Sequence, residues 1–174
     1  MDAASKAMPD VVAQLAAEHT YLASLFAELG REHNAARARG LFRTLYEELC
    51  AHSAAEATVF YAALARTDAA GELVERARAA HEHIAALADE LLASSPARPP
   101  WRELARDLQH AVAAHAAEEE RELFTIARTI LGDDALQAMG ARLVDAAAAW
   151  RAAECGGWHP AHGVAGTDGV SAWF

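Results

Sequence analysis

His19, His52, Glu56, His81, His115 and Glu119 stand where apolar residues are due in stripes that otherwise repeat at helical spacing. The step from Leu15 to Leu22 passes through His19, and the steps from Leu45 and Leu49 to Val59 and Phe60 pass through His52 and Glu56. Val74 and Ile84 bracket His81, while Val112 and Leu123 bracket His115 and Glu119. Six ionisable residues therefore face the interior. Left unpaired there, each would cost several kcal/mol, more than a marginally stable domain can absorb. A shared, positively charged partner removes that cost.

The spacing repeats within the chain. His19 and His81 are 62 positions apart, and 63 positions separate both His52 from His115 and Glu56 from Glu119. His52-x-x-x-Glu56 and His115-x-x-x-Glu119 are the same motif, whose two residues share one helical face about 6 Å apart. Apolar neighbours follow the offset, with Leu22 matching Ile84, Leu25 matching Leu87, Leu45 matching Leu108 and Leu49 matching Val112. The pattern reads as two copies of a helical hairpin. Each copy gives one His from its first helix and a His-x-x-x-Glu pair from its second.

Four imidazoles and two carboxylates suit a pair of transition metals. Two His per metal with both carboxylates bridging supply four protein donors to each ion. An oxo or hydroxo bridge adds a fifth, leaving a position open for a diatomic or peroxide. Imidazole with carboxylate accommodates iron, manganese or zinc, and the lack of thiolate ligands argues against an iron–sulfur cluster. Two iron ions are the expectation, since zinc is more often held by a closed set of four ligands.

The elements that must carry these residues are helices. About a quarter of the chain is alanine, while Ile, Val and Thr are sparse, and no stretch sustains a period of two. The chain is expected to be all-α. Pro9 and Asp10 open a first segment that runs to Leu29, with Gly30 at its C′ position. A second spans about residues 35–65, with Gly40 a weak point near its start. A third follows Thr67-Asp68 and stops before Ser94-Ser95-Pro96. Pro100 suits the first turn of a fourth, which ends at Gly132. Asp133 or Asp134 caps a fifth, through about Ala153. Four long amphipathic helices with short connections predict an up-down-up-down bundle with the fifth helix on one edge. The expected organisation is a disordered N-terminus at 1–9, a bundle at 10–153 and a Gly-rich C-terminal tail at 154–174.

Composition narrows the partners. Asp and Glu outnumber Lys and Arg by 25 to 15, for a net charge of −10, and no basic, aromatic-interleaved patch points to nucleic acid. No apolar run approaches the roughly 20 residues needed to cross a bilayer. The first residues lack the order of a secretory signal, so a cytoplasmic protein is expected. Cys50 and Cys155 form neither a disulfide framework nor a CxxC site. A monomer or weak dimer is expected, with room for an electron-donor protein as partner.

The order His19, His52-Ser-Ala-Ala-Glu56, His81, His115-Ala-Ala-Glu-Glu119 resembles the hemerythrin-like HHE cation-binding domain family over residues 10–131. Phe60-Tyr61 and Leu123-Phe124 resemble that family's Leu-Phe-Pro signature, without its proline. The resemblance implies that His19, His52, Glu56, His81, His115 and Glu119 are metal ligands, with Glu56 and Glu119 bridging. It also implies chemistry with oxygen, peroxide or nitric oxide. Two departures stand out: Ala85 occupies the place of the second His in the His-x-x-x-His that oxygen carriers bear on the third helix, and no cysteine-containing segment of the iron-centre repair type precedes Pro9. A non-haem diiron protein that reacts with these ligands, with a peroxide- or oxygen-using oxidoreductase as the enzyme reading, is therefore preferred to a non-catalytic carrier or sensor, or to an oxygenase acting on a small organic substrate.

Other residues read differently. His33, His83 and His110 are assigned to the surface, and the run Glu118–Glu122 to a solvated face with only Glu119 in phase. Tyr21 is assigned to the rim or core, Cys50 to a small buried filler, and Tyr61 and Phe124 to packing beside the site. In the tail, Cys155, Trp158, His159, His162, Trp173 and Phe174 suggest a flexible end that docks a few aromatics. The alternative is a lid formed by Trp158 and His159.

Overall fold

Residues 9–154 are described by a computed structural model, and among them every regular element is helical. Helix α1 spans Val11–Arg31. Helix α2 occupies 35–64, α3 spans Gly71–Ala93, α4 occupies 100–130 and α5 spans Asp133–Glu154. The Asp10 side chain caps α1 by accepting from the Ala13 N–H at 2.8 Å, and Asn34 caps α2 through the Arg37 N–H at 3.0 Å. Pro100 sits in the first turn of α4, where its missing N–H costs nothing. Helix α1 outruns its expected end by two residues. Gly30 lies inside the last turn rather than at C′, and the Glu32 N–H closes the helix on the Leu29 carbonyl. Gly40 does not interrupt α2. The 1–9 and 154–174 segments predicted to flank the bundle, including the lid residues, fall outside the described residues apart from Pro9 and Glu154.

Helices α1 to α4 contact one another in a closed ring, α1 on α2, α2 on α3, α3 on α4 and α4 on α1, and α5 packs across α1 and α2. The apolar stripes form two clusters. One joins Leu15, Val59, Phe60, Leu64 and Val74 to Leu136, Met139 and Leu143 of α5. The other joins Leu22, Phe26, Phe42, Leu45, Leu91, Trp101 and Leu108. Full burial of each such side chain contributes about 1.5–3 kcal/mol. Gly140 lets α5 approach the start of α1. A Cβ there would lie 2.5 Å from the Pro9 carbonyl oxygen.

Helices α2 and α4 each change pitch once. Residues Glu56–Tyr61 and Glu119–Leu123 form π turns within otherwise α-helical stretches. In the second, the Phe124 N–H reaches back to the Glu119 carbonyl rather than to that of Glu120. Both turns begin at the Glu of a His-x-x-x-Glu motif. Such turns collect at functional sites because the wider coil re-aims side chains.

Candidate metal centre

All six residues singled out by spacing are buried, and they converge. His19 comes from α1, His52 and Glu56 from α2, His81 from α3, and His115 and Glu119 from α4. Each carboxylate faces one imidazole from each hairpin. Glu56 Oε2 lies 3.3 Å from His52 Nε2 and 3.3 Å from His81 Nε2. Glu119 Oε2 lies 3.5 Å from His19 Nε2 and 3.5 Å from His115 Nε2. Donor atoms of His19, His52 and Glu56 lie within 4.8 Å of one another, as do those of Glu56, His81 and His115. Glu56 belongs to both groups.

Tyr61 adds a hydroxyl to this layer. It donates to Glu119 Oε1 at 2.5 Å and lies 3.3 Å from both Glu56 Oε2 and His81 Nε2. At α-helical spacing a residue five positions after Glu56 would point well away from it; the π turn swings it back. Phe124 holds the equivalent place in the second hairpin, stacked on His19 with ring centroids 5.9 Å apart. Spacing alone assigned both residues to packing beside the site, but the Tyr61 hydroxyl is part of it.

Two further carboxylates lie behind the imidazoles. His52 Nδ1 meets Glu18 Oε2 at 2.7 Å, and His19 Nδ1 meets Glu120 Oε1 at 3.0 Å. Neither Glu is in helical phase with the motifs, so a reading along one helix places both on the solvated face. Each acts across a helix pair instead. The rest of that acidic run does face outward, where Glu118 and Glu122 both accept from Arg76. His33, His83 and His110 are exposed and take no part. Tyr21 is 47% exposed, outside the core because its position on α1 turns it away from His19. Cys50 is half-buried rather than a core filler, since its place on α2 brings it beside Tyr46 at the surface of the bundle.

Burial and charge split the protonation of these groups. Burial pushes the His19 imidazolium down, but Glu119, Glu56 and Glu120 outweigh it and raise the pKa to about 9. His81 falls to about 4 and His115 to about 3, both chiefly by burial, which Glu119 only partly opposes. Burial and the neighbouring Glu119 charge raise Glu56 well above the usual carboxylate range. Glu119 goes the other way: burial would raise it, yet the facing His19 imidazolium, with His115, Glu56 and Tyr61 beside it, holds it low. Four buried atoms of this site still lack a hydrogen-bond partner: His19 Nε2, Glu56 Oε1, His81 Nδ1 and Glu119 Oε2. Orphaned imidazole nitrogens and carboxylate oxygens in one layer are what a cation would satisfy. The donor set fits a metal.

A helical fold that holds a buried layer of four imidazoles and two carboxylates between apolar clusters defines a cation-binding protein of the His/carboxylate class. The chain belongs to the hemerythrin family: the hemerythrin HHE cation binding domain matches residues 10–127. Domains of this family bind metal cations, usually iron. The crystal structure of a hemerythrin HHE cation binding domain-containing protein from Mycobacterium kansasii is similar, with a TM-score of 0.77 and 23% identity. It aligns over 85% of this chain and 91% of that one. At that identity the likeness speaks for the fold. Comparison with curated proteins gives no significant match. Among the described residues no helix is long and apolar enough to cross a membrane.

Proposed function

We propose that this chain is a non-haem diiron protein that binds and reacts with oxygen, peroxide or nitric oxide. In this reading α1 to α4 run up-down-up-down, and His19, His52, Glu56, His81, His115 and Glu119 hold two iron ions, with Glu56 and Glu119 bridging. The observation that carries it is the crossed arrangement, in which each carboxylate faces an imidazole from each hairpin. Bound iron supplies Lewis acidity and redox electrons. The chain's own residues set the conditions. Leu15, Val59 and Phe60 on one side and Leu22, Leu45 and Leu108 on the other keep bulk water from the layer. The Tyr61 hydroxyl holds a proton against Glu119, within reach of His81.

A narrow cleft leads to the layer. The cleft between α3 and α4 that reaches His115 and Glu119, lined also by Arg76, Glu118 and Glu122, has a volume of about 10 Å³. That is room for about one water, which supports a ligand of a few atoms in this reading.

Metal analysis of full-length protein grown with ample iron, together with its near-ultraviolet and visible spectrum, tests the centre. About two irons per chain are expected, falling in both Glu56→Ala and Glu119→Ala. Iron content unchanged by both substitutions would refute the bridging assignment. Stopped-flow spectra of the reduced protein then separate the activities. Rapid peroxide disproportionation identifies an enzyme, whereas a reversible oxygen adduct identifies a carrier.

A further inference from the structure

The two hairpins supply matching inward donors, but the residues behind those donors do not match. Glu18, the residue before His19, hydrogen-bonds His52 at 2.7 Å. The corresponding residue before His81 is Ala80, which offers His115 nothing. Glu120, the residue after Glu119, hydrogen-bonds His19 at 3.0 Å. The corresponding residue after Glu56 is Ala57, which offers His81 nothing, and His81 Nδ1 is buried without a partner. Among the described residues, Glu119 is the one carboxylate paired with His115. Both outer carboxylates thus serve the pair His19 and His52, and both are alanine behind the pair His81 and His115.

Outer carboxylates matter to imidazole donors. An Nδ1–H donating to a carboxylate fixes the ring's tautomer and orientation and leaves the Nε2 lone pair facing inward. His19 and His52 each have Nδ1 against such a carboxylate, and their Nε2 atoms face Glu119 and Glu56. In the other half, His81 Nε2 and His115 Nε2 lie 2.8 Å apart and hydrogen-bond each other. One of the two must carry its proton on the atom that would ligate. That pair has to break its mutual hydrogen bond before both rings can face a cation. The aromatic neighbours differ in the same sense, with Phe124 on His19 and the Tyr61 hydroxyl beside His81.

We infer that the two cation positions are unequal, and that Glu18 and Glu120 are positioning residues that make the His19/His52 half bind first and more tightly. The inference rests on the two-cation reading proposed above. Removal of such an outer partner generally weakens metal binding by about 10–100-fold, so the two steps should differ by at least about tenfold.

Calorimetric titration of the metal-free, full-length protein with Fe(II) under anaerobic conditions, and with Zn(II) as a redox-silent probe, reads both steps directly. Wild type should show a tight and a weak step. Glu18→Ala with Glu120→Ala makes the first half a copy of the second and should merge the steps at the weaker affinity. Ala57→Glu with Ala80→Glu should strengthen the weak step and leave the tight one. His115→Ala should abolish the weak step alone. Glu18 and Glu120 have side chains 33% and 47% exposed, and circular dichroism of their variants should match wild type. Two equal steps in wild type, or a tight step that survives loss of both outer carboxylates, would overturn the inference while leaving the two-cation site standing. Binding of no cation by wild type would overturn that reading and this one together.

Discussion

Replacement of Tyr61 by Phe isolates one atom at the centre of the site. The hydroxyl is fully buried and makes one short bond, 2.5 Å to Glu119 Oε1, the carboxylate whose pKa is held low. Phe retains the ring and its packing against Phe60 and His81. The loss is therefore a hydrogen bond to a buried charged group, about 1.5–3 kcal/mol. A domain of this size shifts by roughly 2–4 °C for each kcal/mol, so the metal-free variant should melt about 3–12 °C below wild type. Tyr46→Phe is the matched control. Its hydroxyl bonds Asp89 at 2.8 Å on the exposed side of the bundle, where the loss should stay below about 1 kcal/mol. With cations bound, the carboxylates have other partners and the Tyr61→Phe deficit should shrink. Paired urea unfolding curves with and without metal measure both terms. If metal-free Tyr61→Phe lies within about 0.5 kcal/mol of wild type, the hydroxyl does not hold Glu119 and the reasoning fails.

Three further outcomes follow from the same geometry. The metal-free protein should be most stable near pH 6.5, the ordinary histidine value. On acidification the unfolded chain protonates His81 and His115, which the folded state resists down to about 4 and 3, while the proton that folded Glu56 keeps above its ordinary range offsets one of the two. Stability should then fall by about 1.4 kcal/mol per pH unit. Above pH 6.5 the folded state keeps a proton on His19, to about 9, that the unfolded chain releases, so stability falls again; thermal melts that rise steadily to pH 9 would contradict this charge distribution. Gly140→Ala should destabilise by about 1–3 kcal/mol through overpacking against the Pro9 carbonyl, measurable by urea unfolding, whereas Gly40→Ala, also within a helix but with open space around it, should show no such loss. Arg76→Ala removes the exposed guanidinium spanning Glu118 and Glu122 beside the narrow cleft. It should change stability by less than about 1 kcal/mol yet speed removal of bound metal by a chelator, and an unchanged rate would show that the route lies elsewhere.

Apolar spacing located the five helices and the six inward residues because both follow from one period, and duplication let each hairpin check the other. Three features of the site escaped it. The π turns share no local sequence mark; Glu119–Leu123 is composed of good helix formers, whereas Glu56–Tyr61 is rich in β-branched and aromatic residues. Tyr61 was therefore placed correctly by repeat position while its hydroxyl's part in the layer went unread. Glu18 and Glu120 were invisible for another reason. Each serves a histidine on a different helix, so no single-helix phase argument reaches it. A usable signal does exist: comparing the hairpins at their measured offset shows Glu against Ala at both positions. The end of α1 shows the opposite error, in which a glycine was given the role of helix stop when the helix runs on through Arg31.

The polar layer also partitions the interior. Apolar contacts that would normally knit a helical core into one melting unit are interrupted midway, with Leu15, Phe60, Leu136 and Leu143 on one side and Phe42, Leu45, Trp101 and Leu108 on the other. Without a cation, the side chains that meet between the halves are carboxyl groups, imidazoles and one phenol, so amide hydrogen exchange near Trp101 can proceed at a lower opening free energy than exchange beneath α5. In the proposed reading, a pair of cations held jointly by the four helices would make the halves open together, turning two loosely coupled thermal units into one.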